Sequence, residues 1–164
     1  MRFRLSERPW LAAALALAVT LFVIANRGAY QGWFSDDDLD NLGWTTIVGW
    51  DVFRNGWLTP FFSPDNFRPT GHVAYRLMHA WFGLEFRPWI VVLQFVHLVN
   101  TLLVYFVCRR WGAGAQGALG GAALFVFHPA VLAAFWKPMY VFDLLCCFWL
   151  LLAFLLYGGG WRLV

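Results

Sequence analysis

Four carboxylates crowd into one short stretch of an otherwise apolar chain, the segment WFSDDDLDNLGW at residues 33 to 44. They are Asp36, Asp37, Asp38 and Asp40. Carboxylates this close repel one another, so each must be solvated, paired with a cation or used in chemistry. Ser35 followed by Asp38 fits a capping box, and acids in a first helical turn stabilise the positive end of the helix dipole. Capping accounts for two of the four and leaves the others unexplained.

Two kinds of chemistry suit such a cluster. In a helix, Asp36 and Asp40 lie one turn apart on one face, and Asp37 points to the adjacent face. Converging carboxylate oxygens can bind a divalent cation such as Mg²⁺ or Mn²⁺, and Asp37 with Asp40 is the predicted ligand pair. One carboxylate could instead act as a general base if its neighbours raise its pKa. The spacing alone does not choose between these roles and simple capping.

Basic side chains form a second group of candidates, in the segment NFRPTGHVAYRLMH. Arg68 lies in a proline-rich turn, and His72, Arg76 and His79 form one stripe of a helix predicted to start at Pro69. Guanidinium groups bind phosphate with a forked geometry. The alternative for Arg76 and His79 is contact with ordinary lipid phosphates in the headgroup layer.

A third group lies further along the chain, in the segment FHPAVLAAFWKPMYVFD. Asp143 is predicted to lie about a turn and a half into an apolar helix, where an ionisable residue marks a functional or pairing position. Lys137, in the turn before that helix, could be its structural partner. His128, which precedes Pro129, is more typical of a packed histidine than of a ligand.

The elements that must position these side chains are membrane helices. The 164-residue chain is 61% hydrophobic and only 13% charged, and its mean hydropathy is +0.60. Ordinary globular domains have about 25% charged residues, and a helix needs roughly 20 apolar residues to cross a bilayer core. Four apolar segments meet or approach that length. The sequence therefore predicts an all-α integral membrane protein with transmembrane helices at residues 9–26, 88–108, 113–135 and 138–158.

The charged flanks predict the orientation of these helices. Arginines in short flanking segments favour the cytoplasmic side, which indicates a cytoplasmic N-terminus. The long first loop, residues 27–87, then faces outward, and it contains seven of the nine acidic residues. The first apolar stretch has no A-x-A-like cleavage site after it, which favours a retained helix over a cleaved signal. The net charge of +3 therefore reports topology and gives no support to nucleic-acid binding.

The outer loop is predicted to contain two amphipathic helices in the headgroup layer, where tryptophan rings prefer to lie. The first contains Ile47, Trp50, Phe53 and Trp57 at helical spacing, and the second begins at Pro69.

Two faces of the membrane segments predict how they pack. Polar side chains at membrane depth should point into a bundle, and small residues four apart let helices approach closely. The polar face on segment 88–108 comprises Gln94, His97 and Thr101, with Asn100 nearby. The small face on segment 113–135 comprises Ala113, Gly117 and Gly121.

The order of these features resembles the GT-C glycosyltransferases, in the branch that contains the protein O-mannosyltransferases and the tetratricopeptide-linked transmembrane mannosyltransferases. A basic N-terminus and one membrane helix precede a long outer loop that opens with an acidic motif. The short motifs that match, over about residues 1 to 157, are Arg68-Pro69, His97-Leu98-Val99-Asn100, Arg109-Arg110 and His128-Pro129.

This resemblance implies transfer of a sugar from a polyprenyl-phosphate donor to a protein, lipid or glycan acceptor, on the outer face of a bacterial cytoplasmic membrane. An acidic residue of the first loop would act as the base or help to hold a metal. The positions that match the acidic motif are Asp36, Asp37 and Asp38, and the candidates for binding the donor phosphate are Arg68, His72 and Lys137. Family enzymes have many more than four membrane helices. The sequence is therefore expected to be the N-terminal part of a larger enzyme and inactive alone.

Two other classes of function remain open. A non-enzymatic four-helix scaffold or assembly subunit would use the acids only as a solvated helix cap. A transporter would line a pathway with Gln94, His97, Asn100 and Asp143, but apart from Pro129 the helices lack the Gly/Pro interruptions expected near a midplane site. A reading frame that continues past Val164 into further apolar segments would favour the glycosyltransferase over the scaffold.

Overall fold

The computed structural model describes residues 9–58 and 68–157 of the 164-residue chain. Every regular element in these two ranges is helical, which confirms the all-α prediction. The α-helices are α1 (Pro9–Ala25), α2 (Asp37–Ile47), α3 (Trp50–Leu58), α4 (Pro69–Phe82), α5 (Phe86–Arg110), α6 (Ala115–Phe127) and α7 (Val141–Tyr157). Short 3₁₀ helices cover Arg27–Gln31, Pro129–Phe135 and Pro138–Tyr140.

Two helices of the described ranges are long and apolar enough to cross a membrane. They are α5, with 25 residues, and the continuous stretch Pro138–Tyr157, with 20 residues. A third candidate forms only if α6 and the 3₁₀ helix after it are taken together as one broken span. The membrane character of the chain is thus supported with two or three spans, and the four-span prediction is confirmed only in part.

The third predicted span, residues 113–135, is divided rather than continuous. α6 ends at Phe127, and the 3₁₀ helix Pro129–Phe135 continues at an angle of 61°. Pro129 lacks a backbone N–H and disfavours helical geometry in the residue before it; His128 accordingly has extended backbone. The 13 residues of α6 rise roughly 20 Å, which is short of the ~30 Å hydrocarbon core.

Helix α5 lies at the centre of the fold and packs against both α6 and α7. Its predicted polar face does point inward, since Gln94, His97 and Asn100 are all buried. The Asn100 side-chain amide donates to the carbonyl of Leu144 at 2.9 Å, which ties α5 to α7. The Tyr30 hydroxyl donates to the side-chain oxygen of Gln94 at 2.5 Å, which ties the segment after α1 to α5.

The buried His97 ring is enclosed by aromatic side chains. It stacks on Phe125 with ring centroids 5.1 Å apart, and on Phe135 and Phe22 at 4.5 and 5.7 Å. Aromatic packing among the described residues thus fills the space around the His97 ring.

The small-residue face of α6 differs from the prediction by one position. The buried side chains of α6 are Ala118, Ala122 and Val126, whereas Gly117 is exposed. Gly121 of the predicted face is half-buried, and a Cβ there would lie 3.4 Å from Cys108 Sγ on α5. Small residues recur at four-residue intervals in both registers of this helix. The spacing alone therefore could not show which face meets α5.

The described residues between α1 and α5 include three short α-helices, in which α2 packs against α4, and α4 packs against α3 and α7. The single helix predicted through Ile47 and Trp57 is broken between α2 and α3 at Val48, whose backbone is extended. Helix α4 begins at Pro69 as predicted. Its Tyr75 and Met78 side chains are buried, while Trp81 is 70% exposed. An exposed tryptophan on such a helix is typical of contact with lipid.

The close contact between α4 and α7 requires glycine at position 71. A Cβ at Gly71 would overlap the ring of Phe142, whereas nothing lies within 4 Å of a Cβ added at Gly43 in α2. We expect Gly71→Ala to lower the free energy of unfolding by about 1–3 kcal/mol through overpacking. Gly43→Ala should raise it by up to about 1 kcal/mol, because alanine favours the helix.

Thermal unfolding of the protein in nanodiscs, followed by tryptophan fluorescence, measures both changes. Equal stability of the two alanine variants would contradict the close approach of Gly71 to Phe142.

Candidate functional site

Asp38 of the acidic cluster turns into the protein, where it is completely buried. The turn before α2 makes this possible. Asp36 is the residue that flanks the helix, and its φ of 49° lies in the left-handed region that few residues other than glycine adopt. The predicted capping box is half formed, because the Ser35 N–H donates to Asp38 Oδ2 at 3.2 Å but the residue at the N-cap is Asp36, whose side chain makes no capping bond.

Asp38 joins three parts of the chain. Its Oδ1 accepts hydrogen bonds from the hydroxyl of Tyr75 on α4, at 3.0 Å, and from the backbone N–H of Met139, at 2.5 Å. Its Oδ2 accepts from Ser35, just before α2. A buried carboxylate needs such partners, because an unpaired charge in the interior is costly. The start of α2, the middle of α4 and the turn before α7 therefore meet at one side chain.

Burial dominates the electrostatics of this centre. It raises the pKa of Asp38 above the ordinary value of 3.8, although the three hydrogen bonds and the nearby positive charge of Lys137 act in the opposite direction. Burial, followed by the charge and hydrogen bond of Asp38, also raises the pKa of Tyr75, which keeps the phenol protonated as a donor. Because both oxygens of Asp38 are already engaged, the geometry gives this residue a structural role.

The neighbouring carboxylates open onto a cleft of about 340 Å³. This volume lies within the range of small-molecule sites, about 300 to 1,000 Å³. The cleft lies where α2, the residue before α4, the turn before α7 and the start of α7 converge. Its lining comprises Asp37, Asp40, Asn41, Arg68, Met139, Phe142 and Asp143. We call it the carboxylate cleft.

Arg68 is the only cationic side chain among the described residues that line the carboxylate cleft. It precedes the first residue of α4, and its guanidinium lies over the Phe142 ring, 5.6 Å from the ring centroid. Phe142 is in turn held against α4 by the absence of a side chain at Gly71. The predicted phosphate ligand Arg68 and the predicted metal ligands Asp37 and Asp40 are thus brought to one place.

The other predicted phosphate ligands lie outside the cleft lining. His72 is buried, with its ring centroid 4.6 Å from Trp44 and 5.2 Å from Phe142. Burial first, and the charge of Arg68 second, lower the pKa of His72, which favours the neutral ring. Lys137 is exposed, and it influences the charge of Asp38 from outside the cleft. Asp36 is exposed as well and does not line the cleft.

The described residues do not form a metal site on their own. Within residues 9–58 and 68–157, no group of three or more His, Cys, Asp or Glu side chains is placed to hold a metal ion. Mg²⁺ is usually held by one or two carboxylates together with waters and substrate phosphates. The pair Asp37 and Asp40 would therefore need a substrate to complete the coordination, and their role as metal ligands stays a prediction.

Several residues that line the carboxylate cleft, and the structural role of Arg76, were not predicted from the sequence. Asn41, Met139 and Phe142 gave no signal in the sequence. Asp143 was recognised as a charge in an apolar helix, but among the described residues it lines the cleft and forms no ion pair with Lys137.

Arg76 also has a role that its sequence context did not indicate. It donates to the carbonyls of Thr45 and Val48 at 3.0 and 3.3 Å, and it packs over the rings of Trp50 and Phe53. It thus binds the C-terminal carbonyls of α2, where a cation also complements the helix dipole.

Comparison with protein-family models, with curated proteins and with solved structures finds no match to this chain. The functional conclusion therefore rests on the geometry of the carboxylate cleft and the buried centre beside it.

The raised pKa of Asp38 predicts a pH dependence of stability. The folded protein holds this proton more tightly than the unfolded chain does. Protonation of Asp38 therefore stabilises the folded protein fully below pH 3.8, and this stabilisation is lost as the pH rises through the raised pKa of the folded state. We expect the unfolding temperature of the wild type to fall, relative to Asp38→Asn, as the pH rises from about 4.

Tryptophan fluorescence melts in nanodiscs over a pH series measure this difference. Asp51→Asn, which removes an exposed carboxylate on α3, is the matched control. Parallel pH profiles for the wild type and Asp38→Asn would contradict the burial of this carboxylate.

Proposed function

We propose that this chain is part of a GT-C type membrane glycosyltransferase, which transfers a sugar from a polyprenyl-phosphate donor to an acceptor hydroxyl. One observation carries the proposal. The carboxylate cleft brings the acids of the first loop, Asp37 and Asp40, together with Arg68 and with Asp143 of α7, beside an apolar helix able to cross a membrane. A carboxylate near a cation meets the two needs of the reaction, which are a base for the acceptor and a partner for the phosphate.

The proposed step exchanges one bond at the anomeric carbon of the donor sugar. The acceptor hydroxyl oxygen attacks that carbon, and the bond from the carbon to the phosphate oxygen breaks. Its electron pair leaves with the phosphate oxygen, and the hydroxyl proton passes to a carboxylate. The products are the glycoside and the polyprenyl phosphate.

Asp37 is the best candidate for the base among the three acids considered. It is exposed and lines the carboxylate cleft, so a substrate hydroxyl can reach it. Asp38 is buried with both oxygens engaged, and Asp36 does not line the cleft. Asp38 then acts as a positioning residue that fixes the start of α2.

Arg68 has the strongest support as the partner of the donor phosphate. A guanidinium can bind two phosphate oxygens at once, and Arg68 lies at the cleft with its guanidinium over the Phe142 ring. Lys137 is exposed and could approach a phosphate from outside the cleft. His72 is less suited, because it is buried and its lowered pKa favours the neutral form.

A lipid-linked donor also requires a site at the membrane surface. In our proposal four helices cross a bacterial cytoplasmic membrane, the N-terminus is cytoplasmic, and the loop from 27 to 87 faces outward. The exposed rings of Trp50 and Trp81, at 60% and 70% exposure, support contact of α3 and α4 with the headgroup layer. The acceptor, whether a protein, a lipid or a glycan, would approach from outside. No step is assigned to a divalent cation.

The alternative is a non-enzymatic membrane scaffold. The observation that favours it is the structural use of Asp38, since one of the four acids already holds three parts of the fold together. In a scaffold, loss of the cleft carboxylates would change stability alone.

Substitution of the cleft carboxylate separates the two functions. We expect Asp37→Asn to lower sugar transfer about 100-fold or more, the usual effect of losing a general base. Asp36→Asn and Asp51→Asn, which remove exposed carboxylates outside the cleft lining, should retain transfer.

The measurement is transfer from radiolabelled polyprenyl-phosphate sugars in membranes that contain the full-length protein, with protein levels matched by immunoblot. Undiminished transfer by Asp37→Asn would exclude Asp37 as the base. No transfer by the wild type from any donor would favour the scaffold.

A further inference from the structure

We propose that the carboxylate cleft binds the neutral sugar ring of a substrate, and that Asp143 is a substrate-contacting residue. The inference rests on the function proposed above and names the part of the substrate that the cleft holds. It also adds a carboxylate of α7, that of Asp143, to the acids of the first loop.

The balance of charges in the lining favours a neutral hydroxyl-rich ligand over an anion. The carboxylates of Asp37, Asp40 and Asp143 face the same space as one guanidinium, that of Arg68. A phosphate held wholly inside this space would meet three like charges and one opposite charge. Sugar hydroxyls instead donate hydrogen bonds to carboxylate oxygens, and such charge-assisted bonds are roughly twice as strong as neutral ones.

The hydrogen-bonding groups of the lining also favour a hydroxyl-rich ligand. The Asn41 amide nitrogen already donates to the Asp37 carbonyl at 2.7 Å, which leaves the Asn41 carbonyl oxygen as an acceptor. Carboxylates are acceptors only when ionised. Three carboxylates and the Asn41 carbonyl oxygen supply the acceptors of the lining, and the donors are the Arg68 guanidinium and the second N–H of Asn41. Sugar hydroxyls, which both donate and accept, complement such a lining.

Asp143 faces the carboxylate cleft from the first turn of α7, where its charge also complements the helix dipole. It lies in the first turn of α7, whose remaining residues, VF-LLCCFWLLLAFLLY, are uncharged. An ionisable residue in a membrane helix is costly unless it pairs or faces a polar space. Among the described residues Asp143 forms no ion pair, its side chain is exposed, and the space it faces is the carboxylate cleft.

The start of α7 also supplies the apolar part of the lining. Phe142 and Met139 contribute their side-chain surface beside the carboxylates, and small-molecule sites usually combine apolar surface with a few placed polar groups. Asp38 fixes Met139, and Gly71 lets Phe142 approach α4, so this wall of the cleft is held in place before any ligand arrives.

Saturation-transfer NMR with methyl glycosides tests the inference without requiring a reaction. The full-length protein in nanodiscs is titrated with methyl mannoside, methyl glucoside and methyl galactoside, each also in the presence of inorganic phosphate. We expect at least one glycoside to bind the wild type, and Asp143→Asn to weaken that binding about tenfold or more, the effect of losing a bond to a charged acceptor.

Two further variants complete the design. Asp40→Asn removes a cleft carboxylate of α2 and should weaken glycoside binding similarly. It provides an independent test of the site if Asp143→Asn folds poorly. Asp51→Asn removes an exposed carboxylate of α3 outside the lining and should bind as the wild type does. Phosphate should not displace the glycoside.

Three outcomes would overturn the inference. They are the absence of binding by any of the glycosides, unchanged binding in both Asp143→Asn and Asp40→Asn, and displacement of the glycoside by phosphate. The transfer assay is read separately. Glycoside binding that depends on Asp143, without any sugar transfer, would support the sugar site and reject the transferase. Sugar transfer without glycoside binding would support the transferase and reject the sugar site.

Discussion

The packing of α2, α4 and the start of α7 depends on one buried carboxylate. Asp38 has no exposed surface, and donors from three different segments offset only part of the free energy needed to bury its charge. Removing any one partner would leave a buried polar group unsatisfied, which costs about 1–3 kcal/mol. The geometry of α2, α4 and the turn before α7 is therefore coupled through this side chain, and the carboxylate cleft lies at the junction that it defines.

Helix α2 is fixed at both ends by different chemistry. At its start, Asp38 accepts from Tyr75 and Met139, and at its end Arg76 donates to the last carbonyls of the helix. Both Tyr75 and Arg76 belong to α4, so α4 holds α2 at both of its ends. Such clamping leaves little freedom to Asp37 and Asp40, and substrate-binding groups function best when their supporting residues are rigid.

Much of the fold could be predicted from the sequence because its signals are local. Apolar length predicted α5 and the stretch Pro138–Tyr157 to within a few residues, and Pro69 marked the start of α4. The inward face of Gln94, His97 and Asn100 followed from the cost of polar groups in lipid. The bend at His128 was harder to predict, because a proline near the end of an apolar run can either end a span or kink it.

The site was less predictable, because its members come together only through tertiary contacts. Four aspartates in five positions look alike in sequence, and the left-handed backbone of Asp36 decides which one turns inward. The grouping of Arg68 with Asp37 depends on α4 packing against α2, and the contribution of Asp143 depends on α7 packing against α4. None of these contacts has a sequence spacing that could have indicated it.

A double-mutant cycle between Asp38 and Tyr75 tests the central claim most directly. The free energy of unfolding in nanodiscs would be measured for the wild type, Asp38→Ala, Tyr75→Phe and the double variant. We expect a coupling energy of about 1–3 kcal/mol, because each substitution removes the same buried hydrogen bond. Additive effects, with a coupling near zero, would contradict the role of the buried carboxylate in holding α2 against α4.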